Sequence, residues 1–221
     1  KTLGNVVDPV ELASTYGIDA LRYFLLRRVP PTDDGDFTME SFIRAHNSDL
    51  ADQLGNLLSR VCGMVGRYFD SVVPEPGAED PADAAVIEAG RRMGPRLTAA
   101  MDAFNPQEAL GAVWDLIAEA NRYVVAVEPW NLAKRRAEDA AAEGRLATVL
   151  FNLVEALRLS AWGCAPFLPA TAAAIATQIS VEAPEGNFKE SLEWGGYPAG
   201  TRLSPGNALF PKIEMPEQPA G

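Results

Sequence analysis

Apolar positions along this chain recur at helical spacing. From Ser41 to Phe69, the residues Leu50, Leu54, Leu57, Leu58, Val61, Val65 and Tyr68 step by three, four or one. That spacing predicts one long helix with a single apolar face. Asn56 and Arg60 lie four apart on it, so they stand one turn above the other and can act as a pair. Ahead of it, Asp8-Pro9-Val10-Glu11 reads as a helix entrance, with a cap, a proline at the first position and an acid in the first turn. Gly17 ends that short helix. Leu21, Phe24 and Leu25 share one face of the next, Ala20 to Arg28, which Pro30-Pro31 stops.

Thr32 to Phe37 is a polar turn leading to a Thr38 cap. Its carboxylates Asp33, Asp34 and Asp36 lack the later bidentate Glu of a calcium loop, so a solvated turn is the better reading. Beyond the loop Val73 to Gly77, two helices open with the same device, at Asp80-Pro81-Ala82-Asp83 and at Asn105-Pro106-Gln107-Glu108. The second carries a core face of Leu110, Val113, Trp114, Ile117, Ala120 and Val124. Glu128-Pro129-Trp130-Asn131 breaks it, and a further helix runs from about Asp139 to Cys164 on Leu146, Leu150, Leu153 and Leu157. Pro166 and Pro169 close that helix, and Thr171 to Ile179 gives a last small one. Four or five amphipathic helices with short polar joints make a mainly α helical bundle. The stretch Glu182 to Gly206, rich in Gly and Pro, reads as an irregular arm. Leu209-Phe210-Pro211-Lys212-Ile213 reads as a short strand whose partner lies outside the chain.

Composition narrows the function. The 221 residues carry 48% hydrophobic and 22% charged side chains, as an ordinary globular protein does. A net charge of −11 argues against a non-specific nucleic-acid coat, yet leaves room for a local site that reads a few bases. Cys62 and Cys164 fall in apolar helical surroundings and read as buried free thiols of a reducing compartment. No signal peptide or membrane span is evident, which points to the cytoplasm.

Candidate chemistry concentrates in a few residues. On an exposed helix face Arg60 offers a rigid donor fork and Asn56 both a donor and an acceptor, suited to adjacent base edges. The alternative is a solvated Arg beside a surface Asn. Trp130, outside the apolar spacing at a helix break, suits either stacking on an unpaired base or plugging the bundle end. Trp114, in register with the core, reads as packing, as do Trp162 and Trp194. His46 falls in series with Leu50 and Leu54, a core or boundary position with no catalytic arrangement around it, and no metal cluster is visible. Arg67, Lys134 and Arg135, with Arg91, Arg92, Arg96 and Arg136, are the available phosphate ligands.

Several segments resemble methionyl-tRNA synthetase of the bacterial type, a class I aminoacyl-tRNA synthetase. Lys1-Thr2-Leu3-Gly4-Asn5-Val6-Val7-Asp8-Pro9 resembles the exit from that family's Lys-Met-Ser-Lys-Ser loop, with Thr2 in place of the last serine. Tyr16 to Leu26, Asp49 to Arg60, Asn121-Arg122-Tyr123, Glu128 to Lys134 and Leu209 to Glu214 follow in the family's order. The resemblance implies three parts. Residues 1–35 would be the end of the catalytic loop and stem-contact fold, 36–180 a helical anticodon-binding domain, and 181–221 an arm packing back toward the catalytic side. It further implies that Asn56, Arg60 and Trp130 read the methionine anticodon of tRNA(Met). Lys1 would be the end of the loop that holds the ATP phosphates, active only with a catalytic domain.

The family's nucleotide-binding domain has no counterpart in these residues. The chain is therefore expected to be one piece of a methionine–tRNA ligase, not catalytic alone and binding no cofactor itself. Its catalytic domain would be covalently attached or a separate chain. Two rival readings stay open. One is a helical protein-interaction module without RNA specificity, using Trp130 as a hot spot. The other is the anticodon domain of another class I synthetase for an apolar amino acid.

Overall fold

The computed structural model describes residues 8–29, 37–186 and 188–215. Lys1, the Pro30-Pro31 stop and the Asp33-Asp34-Gly35-Asp36 turn lie outside the described residues. Helix α1 (Pro9–Tyr16) opens on Asp8, whose carboxylate accepts the Val10 N–H at 2.8 Å. Gly17, at φ 90°, turns the chain into α2 (Ile18–Arg28), a conformation costly for any residue with a Cβ. Thr38 caps α3 (Met39–Ala45) through a reciprocal pair of bonds with Ser41. Asp80 caps a single 3₁₀ turn that leads into α5 (Ala84–Asp102), and Asn105 caps α6 (Pro106–Val127). A short α7 (Pro129–Arg135) precedes α8 (Ala140–Cys164), capped by Asp139. Helix α9 (Pro169–Gln178) starts two residues ahead of the expected Thr171, because Pro169 occupies its first position instead of closing α8.

The molecule is mainly α. Among the described residues the one β feature is an isolated antiparallel bridge between Val72 and Arg202. Helix α8 sits at the centre, packed by α5, α6, α7 and α9. Its expected stripe of Leu146, Leu150, Leu153 and Leu157 is buried, and so are Val149, Val154, Glu155 and Arg158 on its other faces. Cys62 and Cys164 are free and buried, and burial pushes their thiols up to about 11 and about 12. No described helix is long and apolar enough to cross a membrane.

The stretch expected to be one α-helix from Ser41 to Phe69 has three segments. A π-helical stretch, His46–Gly55, separates α3 from α4 (Asn56–Phe69). Its wider turn carries the Asn56 N–H to the Ala51 carbonyl, five residues back. A Cβ on Gly55 would come within 3.2 Å of the Leu50 carbonyl oxygen. Contacts from elsewhere hold the wide turns in place. From α2, Tyr23 and Arg28 donate to the Asp49 carboxylate at 2.7 and 2.6 Å. From α6, Asn121 donates to the Gln53 carbonyl at 3.1 Å.

The C-terminal arm is irregular apart from one turn of helix, and it crosses the bundle. Trp194 lies against Gly90, where an added Cβ would meet its ring at 2.1 Å. Leu203 N–H donates to the Ser71 carbonyl at 2.7 Å and Val73 N–H to the Thr201 carbonyl at 2.9 Å. The following segment, Leu209 to Ile213, is not a strand and its partner lies within this chain. It docks on the π-helical stretch, where the Asn47 amide plays the part of a neighbouring strand. Asn47 Nδ2 donates to the Ile213 carbonyl at 2.8 Å, and Ile213 N–H donates to Asn47 Oδ1 at 2.9 Å. His46 Nε2–H donates to the Pro211 carbonyl at 2.9 Å, and the Phe210 ring meets the imidazole edge-on at 5.7 Å.

His46 is therefore a buried anchor. Burial depresses its pKa, against the opposing pull of the Pro211 carbonyl. The fold favours the neutral ring, so its contribution is complete above the ordinary histidine value of about 6.5. It is lost as pH falls from there through the depressed folded value. Urea unfolding at about pH 7.5 and about pH 5.5 should show the parent chain losing more stability than His46→Gln. Equal losses would show that His46 does not titrate into the fold this way.

Candidate nucleic-acid interface

Asn56 and Arg60 occupy the first two turns of α4, both exposed, while Leu57, Leu58 and Val61 between and beyond them are buried. The apolar face thus points inward, and the pair points out. Neither polar side chain is loose. Asn56 Nδ2 donates to Asp52 Oδ1 at 3.1 Å, one π turn earlier. Arg60 donates to Asn121 Oδ1 at 2.7 Å on α6. Asn121 in turn spends Nδ2 on two backbone carbonyls, Gln53 at 3.1 Å and Ile117 at 3.0 Å, so its oxygen can face only Arg60. What remains free is most of the Arg60 donor fork, together with the Asn56 oxygen and one N–H. Those groups match base edges. In the sequence Asn121 stands only within the Asn121-Arg122-Tyr123 motif. Its placement in mid-helix, where asparagine is a poor former, is a signal that could have singled it out.

Trp130 is presented at a fixed corner. Glu128 ends α6 in the left-handed region at φ 49°, and Pro129 begins α7 buried. Asn131 binds back to Glu128 through N–H to carbonyl and Nδ2 to Oε2, both at 2.8 Å, while buried Leu132 seats the helix. Trp130, between them, is 37% exposed. Trp114 does pack as expected, buried with its ring 4.4 Å from that of Tyr23. Trp162 and Trp194 pack against the core from its edge. No hydrogen bond or ring contact joins Trp130 to Asn56 or Arg60 among the described residues. They are linked through α6 instead, since its last six residues after Asn121 rise about 9 Å to the corner that carries Trp130.

The basic residues separate into two kinds. Arg136 is structural, donating to the Tyr68 carbonyl and lying 5.8 Å above the Tyr68 and Phe69 rings. Arg96 is bound to Glu108 at 2.6 Å and Asp115 at 2.7 Å, and Arg92 faces Glu88 at 3.6 Å. Arg67, Lys134 and Arg135 stay exposed. Because Arg136 ties the end of α7 to the end of α4, those three cations project from adjoining helix ends. Among the described residues no group of three or more His, Cys, Asp or Glu is placed to hold a metal ion.

Comparison with known proteins places both parts of the chain in one family. Residues 1–62 match the family model for tRNA synthetases class I (M), and residues 73–220 match that for the anticodon binding domain of methionyl tRNA ligase. The methionine–tRNA ligase of Caldanaerobacter subterraneus is 41% identical over 218 residues, covering 99% of this chain and 33% of that protein. That of Mycobacterium bovis is 36% identical over 227 residues, 42% of its length. The crystal structure of apo Mycobacterium tuberculosis methionyl-tRNA synthetase superposes with a TM-score of 0.87 at 35% identity, over 96% of this chain and 42% of that one. The chain thus spans a third to two fifths of the relatives it matches. Asn56 and Arg60 fall in the first matched segment and Trp130 in the second.

Proposed function

The chain belongs to the methionyl-tRNA ligase family, matching its anticodon-binding domain over most of its length, and from that premise we propose that it reads the anticodon loop of tRNA(Met) through Asn56, Arg60 and Trp130. One observation carries this reading. Two polar side chains on an outward helix face are held by their own partners, and an exposed tryptophan is held at a rigid corner of the neighbouring helix. Unpaired bases are recognised this way, by stacking on an aromatic face and by hydrogen bonds to the edges left open. Trp130 stacks on the first anticodon base while Asn56 and Arg60 meet its neighbours. Arg67, Lys134 and Arg135 contact phosphates and position the loop without reading it.

The wider activity is ligation of methionine to tRNA(Met) with ATP, in the cytoplasm. It requires the nucleotide-binding catalytic domain, in the same polypeptide or as a separate chain. Lys1 would serve there at the end of the ATP-phosphate loop, stabilising charge on the phosphates. The arm from residue 181 onward would face that domain. Asp49, which joins α2 to the π-helical stretch beside Asn56, offers a mechanical link between the two ends.

The test is binding of the chain to two anticodon hairpins at one salt concentration, one carrying CAU and the other with its second and third bases replaced. Preference for CAU, lost in Arg60→Ala, is the expected result. Equal weak binding of both hairpins would remove the reading and favour the protein-interaction alternative.

A further inference from the structure

We propose that Lys212 and Asp52 together position Asn56, so that the C-terminal segment is part of the base-reading site; this inference rests on the anticodon reading above. Asp52 Oδ1 accepts from Asn56 Nδ2 at 3.1 Å and from Lys212 Nζ at 2.8 Å. One carboxylate oxygen therefore joins the recognition residue to a lysine 156 positions away in the chain, as 212 − 56 gives.

An exposed ion pair is ordinarily worth little, because two long side chains must be ordered to make it. Here the backbone on either side of Lys212 is already fixed. The Pro211 carbonyl is bound by His46, and Ile213 exchanges two bonds with Asn47. Asp52 rises from the same π-helical stretch that supplies those two anchors. Ordering of the main chain is thus complete before the ion pair forms, and the lysine has only its own stem left to settle.

The consequence for Asn56 is the direction of its amide. An asparagine amide has nearly the same shape either way round, and only its partners decide which end faces out. A carboxylate can only accept, so Asp52 takes the N–H end and leaves the Asn56 oxygen pointing away. That oxygen can accept from the exocyclic amine of adenine, a bond lost when the adenine is replaced by a purine without that amine. Lys212 holds the carboxylate in place and offsets its negative charge, which would otherwise repel an incoming phosphate backbone.

The experiment compares a CAU hairpin with one whose adenine is replaced by purine, which lacks only the exocyclic amine. The parent chain should prefer adenine by roughly two- to tenfold, the worth of one hydrogen bond. Lys212→Met and Asp52→Ala should bring that ratio close to one, with thermal unfolding unchanged, and Lys212→Arg should retain it. A purely structural role would weaken both hairpins alike and lower the melting temperature, which overturns the proposal. If Asn56→Ala abolishes the ratio while Lys212→Met and Asp52→Ala leave it intact, the proposal fails and the anticodon reading stands. If Asn56→Ala leaves the ratio intact, or the parent chain shows none, the assignment of Asn56 fails and the proposal falls with it.

Discussion

Trp130→Ala should weaken binding of the CAU hairpin by ~1–3 kcal/mol, the usual value of one base stacked on one aromatic ring. In dissociation constant that is roughly five- to 150-fold. The loss belongs to binding rather than to stability because the corner does not depend on the indole. Glu128, Pro129, Asn131 and Leu132 hold the turn with their own bonds and burial. The melting temperature should accordingly change little. Trp114→Ala makes the contrast, since its buried ring packs on Tyr23 and its loss leaves a cavity. Stacking tolerates any base, so Trp130→Ala should weaken hairpins with any first base, whereas Arg60→Ala should erode discrimination. Fluorescence anisotropy at fixed salt measures both. Unchanged affinity in Trp130→Ala would remove the tryptophan from the site.

Glu155→Leu should be the most destabilising single change considered, at ~3–5 kcal/mol, because it strands a buried guanidinium. Glu155 is fully buried on α8 and accepts two bonds from Arg158, both at 2.7 Å. It also accepts the N–H groups of Gly195 and Gly196 at 2.6 and 3.0 Å. Arg158 donates onward to the carbonyls of Ser191 and Glu193, each at 2.6 Å. An isolated buried ion pair often yields to an apolar pair at no loss. This one should not. Replacing both partners, as in Glu155→Leu with Arg158→Met, takes their partner from the Gly195 and Gly196 N–H groups and the Glu193 carbonyl, part-buried bonds of the arm that an apolar pair cannot replace. Thermal unfolding should therefore drop by on the order of 10 °C in the single variant and recover only partly in the double. Full recovery would mean that the arm docks without the ion pair.

A second buried pair follows the same logic at the other end of α8. Burial works to raise the Asp83 carboxyl, but the Arg145 guanidinium, the Tyr123 hydroxyl and the Asp80 N–H overcome it and hold it below the usual carboxylate range. Asp83 was expected only as the acid at the start of a helix. It lies at that start, yet its carboxylate is turned inward to join α5, α6 and α8. Tyr123, two residues from the Asn121 that holds Arg60, is part of this cluster, so the core network also fixes the helix that holds Arg60.

Some of this was legible in the sequence because it depends on near neighbours along the chain. Caps at Asp8, Thr38, Asp80 and Asn105 need only a side-chain oxygen two or three residues from a free N–H. The apolar spacing placed Leu50, Leu54, Leu57, Leu58, Val61 and Val65 in the core, and with them the outward direction of Asn56 and Arg60. The break at Glu128 was likewise local, set by a proline that cannot continue the preceding helix.

Tertiary structure alone decided the rest. A π-helical stretch has no local signature, since contacts from distant residues, Tyr23, Arg28, Asn121 and the C-terminal segment, accompany its wider turns. The segment Leu209 to Ile213 looked like a strand because its peptide groups needed partners, but spacing cannot reveal that an asparagine side chain 166 residues away supplies them. Periodicity shows which face of α8 is apolar, not how many neighbours surround it, so the burial of Glu155 and Arg158 stayed hidden. The chain by itself determined its helices and the direction in which Asn56 and Arg60 face. What holds those residues still is long-range hydrogen bonding, which exists only once distant segments have packed.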